Sequence, residues 1–124
     1  MIIDKLLNTA KSICVHRKIS PEVSVGEVSA ALITTAGNIY TGICIVVPCG
    51  MGFCAEHSAI ADMLKHGESK IEYIVAVRDE KIIPPCGRCR ELMRQIDEYN
   101  YSNTKVIIDS EEHILLRDLL PKPF

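Results

Sequence analysis

Apolar residues recur at helical spacing in the first segment (Ile2, Ile3, Leu6, Leu7, Ala10, Ile13 and Cys14) and predict an amphipathic helix with one buried stripe. The period then changes. Residues 23–35 are rich in Val, Thr and Ile, Ala36-Gly37-Asn38 supplies a turn, and the β-branched run 39–47 completes a hairpin. Pro48, Gly50 and Gly52 interrupt regular structure ahead of Cys54. Residues 55–66 return to a helical period, with Ala59, Ile60, Met63 and Leu64 on one face and Gly67 placed to close the helix. Residues 71–77 form a nearly continuous apolar run, the pattern of a strand covered on both faces. After Pro84-Pro85, residues 86–99 predict a helix marked by Leu92, Met93 and Ile96. Residues 105–109 and 113–116 predict strands, and the short acidic link between them permits only antiparallel pairing. A last helical turn over 117–120 stops at Pro121. The order α-β-β-α-β-α-β-β predicts a mixed sheet with helices on its faces, in a single domain spanning residues 1–124.

Composition narrows what such a domain does. The chain is 48% hydrophobic and 24% charged, with a net charge of −2, the profile of an ordinary soluble globular protein. Lys and Arg are scattered, which argues against binding a nucleic-acid polymer or an anionic membrane and leaves a small molecule as the expected partner. The longest apolar runs, such as 43–48, are far too short to span a bilayer. The start, Met1-Ile2-Ile3-Asp4-Lys5, shows no secretory pattern, so the cytoplasm is the expected location.

In a reducing compartment the six cysteines (Cys14, Cys44, Cys49, Cys54, Cys86 and Cys89) point to metal or catalysis rather than to disulfides. Two segments stand at predicted helix starts: Cys54-Ala55-Glu56 and Pro85-Cys86-Gly87-Arg88-Cys89. A Cys-x-x-Cys turn sets two thiolates on one side of a helix N-terminus, where free N–H groups and the helix dipole favour the ionised form. A third thiolate from Cys54 leaves one position of a tetrahedral zinc open for water, as catalytic zinc requires. Glu56, two residues beyond Cys54, is placed to move that water's protons without replacing a ligand. Cys49 offers an alternative: with Cys54, Cys86 and Cys89 it would close a four-cysteine, noncatalytic zinc site.

These motifs resemble the cytidine deaminase family, in its small form with three cysteine ligands. The similarity runs from Val28-Ser29-Ala30-Ala31-Leu32-Ile33 through Gly37-Asn38-Ile39-Tyr40-Thr41-Gly42 to the two cysteine motifs and Arg90. It ends at Leu119-Leu120-Pro121-Lys122-Pro123-Phe124, like the family's Leu-Leu-Pro-x-x-Phe terminus. The resemblance implies a three-layer α/β/α sandwich around a five-stranded mixed sheet. It implies one Zn2+ per chain on Cys54, Cys86 and Cys89, Glu56 as proton shuttle, and a homotetramer with sites bordering neighbouring subunits. It also implies substrate contacts from Ala55, from the positions of Cys44 and Val46, and from the ring of Phe124 stacked on the substrate. The implied activity is hydrolytic deamination of a cytosine-like ring.

The sequence departs from that family at the sugar. The family's Asn-x-Glu pair, which hydrogen-bonds ribose, is replaced by Cys44-Ile45-Val46, and the loop to Cys54 is one residue shorter. Gly26 falls where a pocket aromatic is usual, and His57 where many members carry an Arg that offsets thiolate charge. Two further readings follow: a deaminase of a nucleoside antibiotic such as blasticidin S or another aminated heterocycle, and a noncatalytic binding protein of the same fold. Cys14 and Cys44 read as packing residues, and His16, His66 and His113 have no partner motif. Arg88 and Arg90 read as structural ion pairs, and Glu111-Glu112 as a solvated turn.

Overall fold

A computed structural model describes all 124 residues. The opening apolar stripe becomes α1 (Ile2–Ser12), whose Leu6, Leu7 and Ala10 are buried. The hairpin forms as β2 (Ser24–Thr34) and β3 (Ile39–Val46), joined through Gly37 at φ 90°. α2 (Ala55–Lys65) ends where Gly67, at φ 84°, lets Gly67 and Glu68 donate back to the carbonyls of Leu64 and Met63. β4 (Ile71–Arg78) is the central strand, and β6 (Lys105–Ile107) and β7 (His113–Leu115) complete the far side.

The long spine of the sheet runs β3-β2-β4-β6-β7, antiparallel except for the β4–β6 pair. That parallel step needs a crossover, and α3 (Gly87–Ile96) supplies it. Alternation along the central strands assigns the layers. Ala31, Val75, Val77 and Ile107 pack under α1, whereas Leu32, Ile74 and Val106 face Ala59, Ile60 and Met63 of α2 and Met93 of α3. The expected α/β/α sandwich is therefore present.

The sheet has seven strands, however, not five. The additions are β1 (Arg17–Lys18), paired with the start of β2, and β5 (Lys81–Ile83), folded back on the end of β4. Both are too short to show alternation. The β4–β5 hairpin also turns through Asp79 and Glu80 at φ 47° and 67°, where a Gly would have marked the turn and Glu80 does not.

The predicted helix over 86–99 is likewise divided. α3 stops at Asp97, and a short α4 (Tyr99–Asn103) follows. The break is tertiary in origin: the Asp97 carboxylate accepts hydrogen bonds from Ser69 Oγ (2.7 Å), Lys70 Nζ (3.1 Å) and the Tyr99 N–H (3.0 Å). Beside it, fully buried Asn100 accepts from the Ile71 N–H and donates to the carbonyls of Ser69 and Met93, clamping α3 and α4 to the entry of β4. Asn100→Ala leaves three backbone groups without this partner, two of them in buried hydrogen bonds, so it is expected to cost about 2–4 kcal/mol of stability, measurable by urea denaturation. A loss below about 0.5 kcal/mol would refute the clamp.

Candidate active site

Two helices begin at the same place. Cys54 is the N-cap of α2 and Cys86 the N-cap of α3, both in extended backbone, so each thiol sits beside the free N–H groups of a first turn. Close packing positions α2. Gly42 of β3 lies directly beneath it, and a Cβ there would overlap the backbone of Ala55 and Ala59. The loop into Cys54 is fixed by reciprocal hydrogen bonds between Ile45 and Phe53 (3.0 and 3.1 Å). Arg90 secures the other cysteine segment. Its Nε donates to the Pro85 carbonyl (2.7 Å) and its Nη1 to that of Leu119 (3.0 Å), so it bonds backbone carbonyls rather than making the ion pair expected from sequence.

The sulfurs of Cys54 and Cys86 are 3.4 Å apart, those of Cys86 and Cys89 are 3.6 Å apart, and all three lie within 4.8 Å of one another. Three ligands on a tetrahedral zinc with Zn–S near 2.3 Å would stand about 3.8 Å apart, so the trio fits that ion with little adjustment. Cys49 is not in the group. It is exposed, in the turn Pro48–Gly50, at φ 64°. A closed four-cysteine site is therefore not formed here.

The electrostatics of the thiols fit a cation as well. Burial raises the Cys89 thiol, helped by the Glu56 charge, and burial with the neighbouring Cys86 sulfur raises Cys54. At Cys86 burial is outweighed by hydrogen bonds from the backbone N–H groups of Cys89 and Arg88 and from the other thiols, and the net shift is downward. Three crowded sulfurs resist ionising together, a conflict that a divalent cation removes. His57 adds a polar contact, its Nδ1 lying 3.3 Å from Cys89 Sγ while its ring stacks on Phe53. Burial, then the Arg88 charge, lowers the His57 pKa, which favours a neutral imidazole.

These groups open into a cavity of about 430 Å³ that brings together Cys54, Ala55, Glu56 and Cys86 with Cys44 and Val46. Glu56 is only 4% exposed, and burial pushes its carboxyl above the usual range. Phe124 does not reach this cavity within its own chain. The residue is 94% exposed, while its backbone N–H donates to Glu91 Oε1 (3.1 Å). Cys14, two residues beyond the end of α1, and Cys44 on β3 are packing residues as expected, and both sulfurs contact the β2 backbone. Sequence reading missed Glu27 and Arg78 as cavity residues and read Arg88 as part of a structural ion pair, yet all three line the wall. The available signal was Gly26, since a lone glycine inside a strand pattern marks a bulge.

Residues 3–103 match the model of the family described as the cytidine and deoxycytidylate deaminase zinc-binding region. A protein of Dictyostelium discoideum described as "Probable cytidine deaminase" is 34% identical over 68 residues, which cover 52% of this chain and 46% of that one. A cytidine deaminase of Mycoplasma genitalium is 38% identical over 61 residues, 47% of this chain and 45% of that one. The matched stretch thus spans about half the length of these curated relatives. In fold, the chain is similar to the crystal structure of cytidine deaminase from Mycobacterium tuberculosis. The TM-score is 0.79 and the identity 23%, with 98% of this chain and 95% of that one covered. With four-fifths of its length matched to the family and its three thiols gathered at two helix starts, this chain belongs to the cytidine and deoxycytidylate deaminase family.

Proposed function

We propose that this protein hydrolytically deaminates a cytosine-like ring, releasing ammonia and leaving a carbonyl. The observation that carries this reading is the buried Glu56 carboxyl lining the same cavity as the thiols of Cys54 and Cys86. Cys54, Cys86 and Cys89 would hold one zinc ion, which when bound supplies Lewis-acid activation of water near neutral pH. Glu56 takes a proton from the attacking water and delivers it to the ring nitrogen beside the amino-bearing carbon. It then carries the second proton to the departing amine. Its raised pKa suits both duties, because a carboxyl that holds its proton more tightly is the better base and is still able to release that proton to the ring. Ala55, at the base of the cavity and fully buried, leaves room for a flat heterocycle.

The substrate class includes cytidine, deoxycytidine and, because Cys44 and Val46 stand where a ribose-binding pair is usual, an aminated heterocycle with a different appendage. Ammonia release across that panel by protein of measured zinc content tests the reading. Turnover of at least one member is expected, and none by fully loaded protein would leave a binding protein of the same fold.

Assembly belongs to the same proposal. Val15, Ile19, Met51 and Phe124 are between 58% and 94% exposed, an apolar exposure that a homotetramer would cover. Phe124 would then complete a neighbouring subunit's site rather than its own. Removal of Phe124 should raise the Michaelis constant without altering zinc content. A monomer in sedimentation experiments would contradict this arrangement.

A further inference from the structure

The wall opposite the cysteines is built by an irregularity in β2. Between the pairs Val25–Ile45 and Ser29–Ile43, β2 advances four residues while β3 advances two, so residues 26–28 bulge out of the ladder. Gly26 makes the bulge possible. It sits at φ 80°, with the Val15 carbonyl where a Cβ would be, so no side chain can point into the cavity from this position. Cys44 stabilises the bulge, its sulfur accepting the Val28 N–H (3.3 Å) that the ladder no longer pairs. The Cys14 thiol donates to the Glu27 carbonyl (3.5 Å) from the other side. Cys44 thus uses its acceptor on the backbone and keeps only a weak S–H donor, which cannot take the place of a carboxylate acceptor.

The consequence falls on Glu27, the residue that the bulge places on the cavity wall. The lining includes no Asn, Gln, Ser or Thr side chain, and its charged groups are Glu27, Glu56, Arg78 and Arg88. The two guanidinium groups can only donate hydrogen bonds, and Glu56 is committed to proton transfer. Glu27 carries no ion-pair partner within 4 Å. A hydroxyl attached to the substrate ring through a sugar therefore has one available carboxylate acceptor.

We infer that Glu27 is a specificity-determining residue that binds hydroxyls of the substrate's sugar, a role moved from β3 to a bulge in β2. This rests on the deaminase reading above. A carboxylate accepting a hydroxyl forms a charge-assisted bond, and its loss is felt mainly in binding, because the sugar is remote from the reacting carbon.

The test compares cytidine with 2′,3′-dideoxycytidine, which keeps the ring and lacks both secondary hydroxyls. Zinc-loaded wild type, Glu27→Ala and Glu27→Gln are assayed for ammonia release. The same ligands are titrated calorimetrically into each protein carrying Glu56→Gln. Glu27→Ala is expected to raise the Michaelis and dissociation constants for cytidine by about 10- to 100-fold, with a much smaller change in kcat. Dideoxycytidine should be unaffected, and Glu27→Gln should recover part of the loss. Equal effects on both ligands, no effect on either, or no measurable binding of either would overturn the inference. If calorimetry discriminates as expected but the wild type turns over neither ligand, the hydrolytic reading fails and the role of Glu27 stands.

Discussion

Glu56→Gln is expected to retain zinc and fold while losing about 10²–10⁴-fold in kcat, the range that a positioned proton-transfer group commands. The amide has the shape of the carboxyl and fills the same buried space, so packing against Ala55 and the first turn of α2 is preserved. Stability should hold or rise slightly, since burial already disfavours the charged form and a neutral amide avoids that cost. Zinc content should be unchanged because Glu56 is not one of the three grouped donors. The reaction, in contrast, needs a group that both accepts and releases a proton, and an amide does neither near neutral pH. Ammonia release and metal analysis on the same preparation decide the matter. Activity near the wild-type level in a zinc-replete variant would remove Glu56 from the chemistry.

Cys89→Ala is expected to lose the metal. Cys89 is fully buried in the first turn of α3, where nothing but the site itself faces its sulfur: Cys86 at 3.6 Å and His57 at 3.3 Å. Four-ligand structural zinc sites are worth about 10–16 kcal/mol, so a single ligand carries roughly 3–4 kcal/mol, or about 10²–10³-fold in affinity. Two thiolates at helix starts, without a third, leave the ion under-coordinated. Because Cys54 and Cys86 tie the starts of α2 and α3 to each other, loss of the ion should also lower thermal stability and increase amide exchange at residues 84–90. Cys49→Ala is the control. It removes an exposed thiol outside the group and should keep one zinc per chain. Equal metal loss in both variants would mean that the ligand set is wrong.

Much of this was legible without coordinates, for identifiable reasons. The helices and long strands carried their own periodicities, and the three cysteines that the fold groups stood at helix starts in two short motifs. A metal site built on local turns leaves a local trace, because Cys86 and Cys89 must lie one turn apart and Glu56 must follow Cys54 within a turn. The mixed sheet followed from lengths of connection, with a short link before β7 and a helical crossover before β6.

Tertiary structure decided the rest. The break at Asp97 depends on Ser69 and Lys70, 28 and 27 residues away, and the β4–β5 hairpin on two non-glycine residues held at positive φ. Arg90 found the carbonyls of Pro85 and Leu119 in place of a carboxylate. Above all, the character of the cavity wall was not written in any one segment. Gly26 reads alone as a lost aromatic and Cys44 as a lost amide, whereas together, across two paired strands, they form and seal the bulge that places Glu27 on the wall. Periodicity and motif spacing report on neighbours along the chain. A cavity is made from residues that meet only when strands take up a register, and that register is set by the packing of the whole sheet.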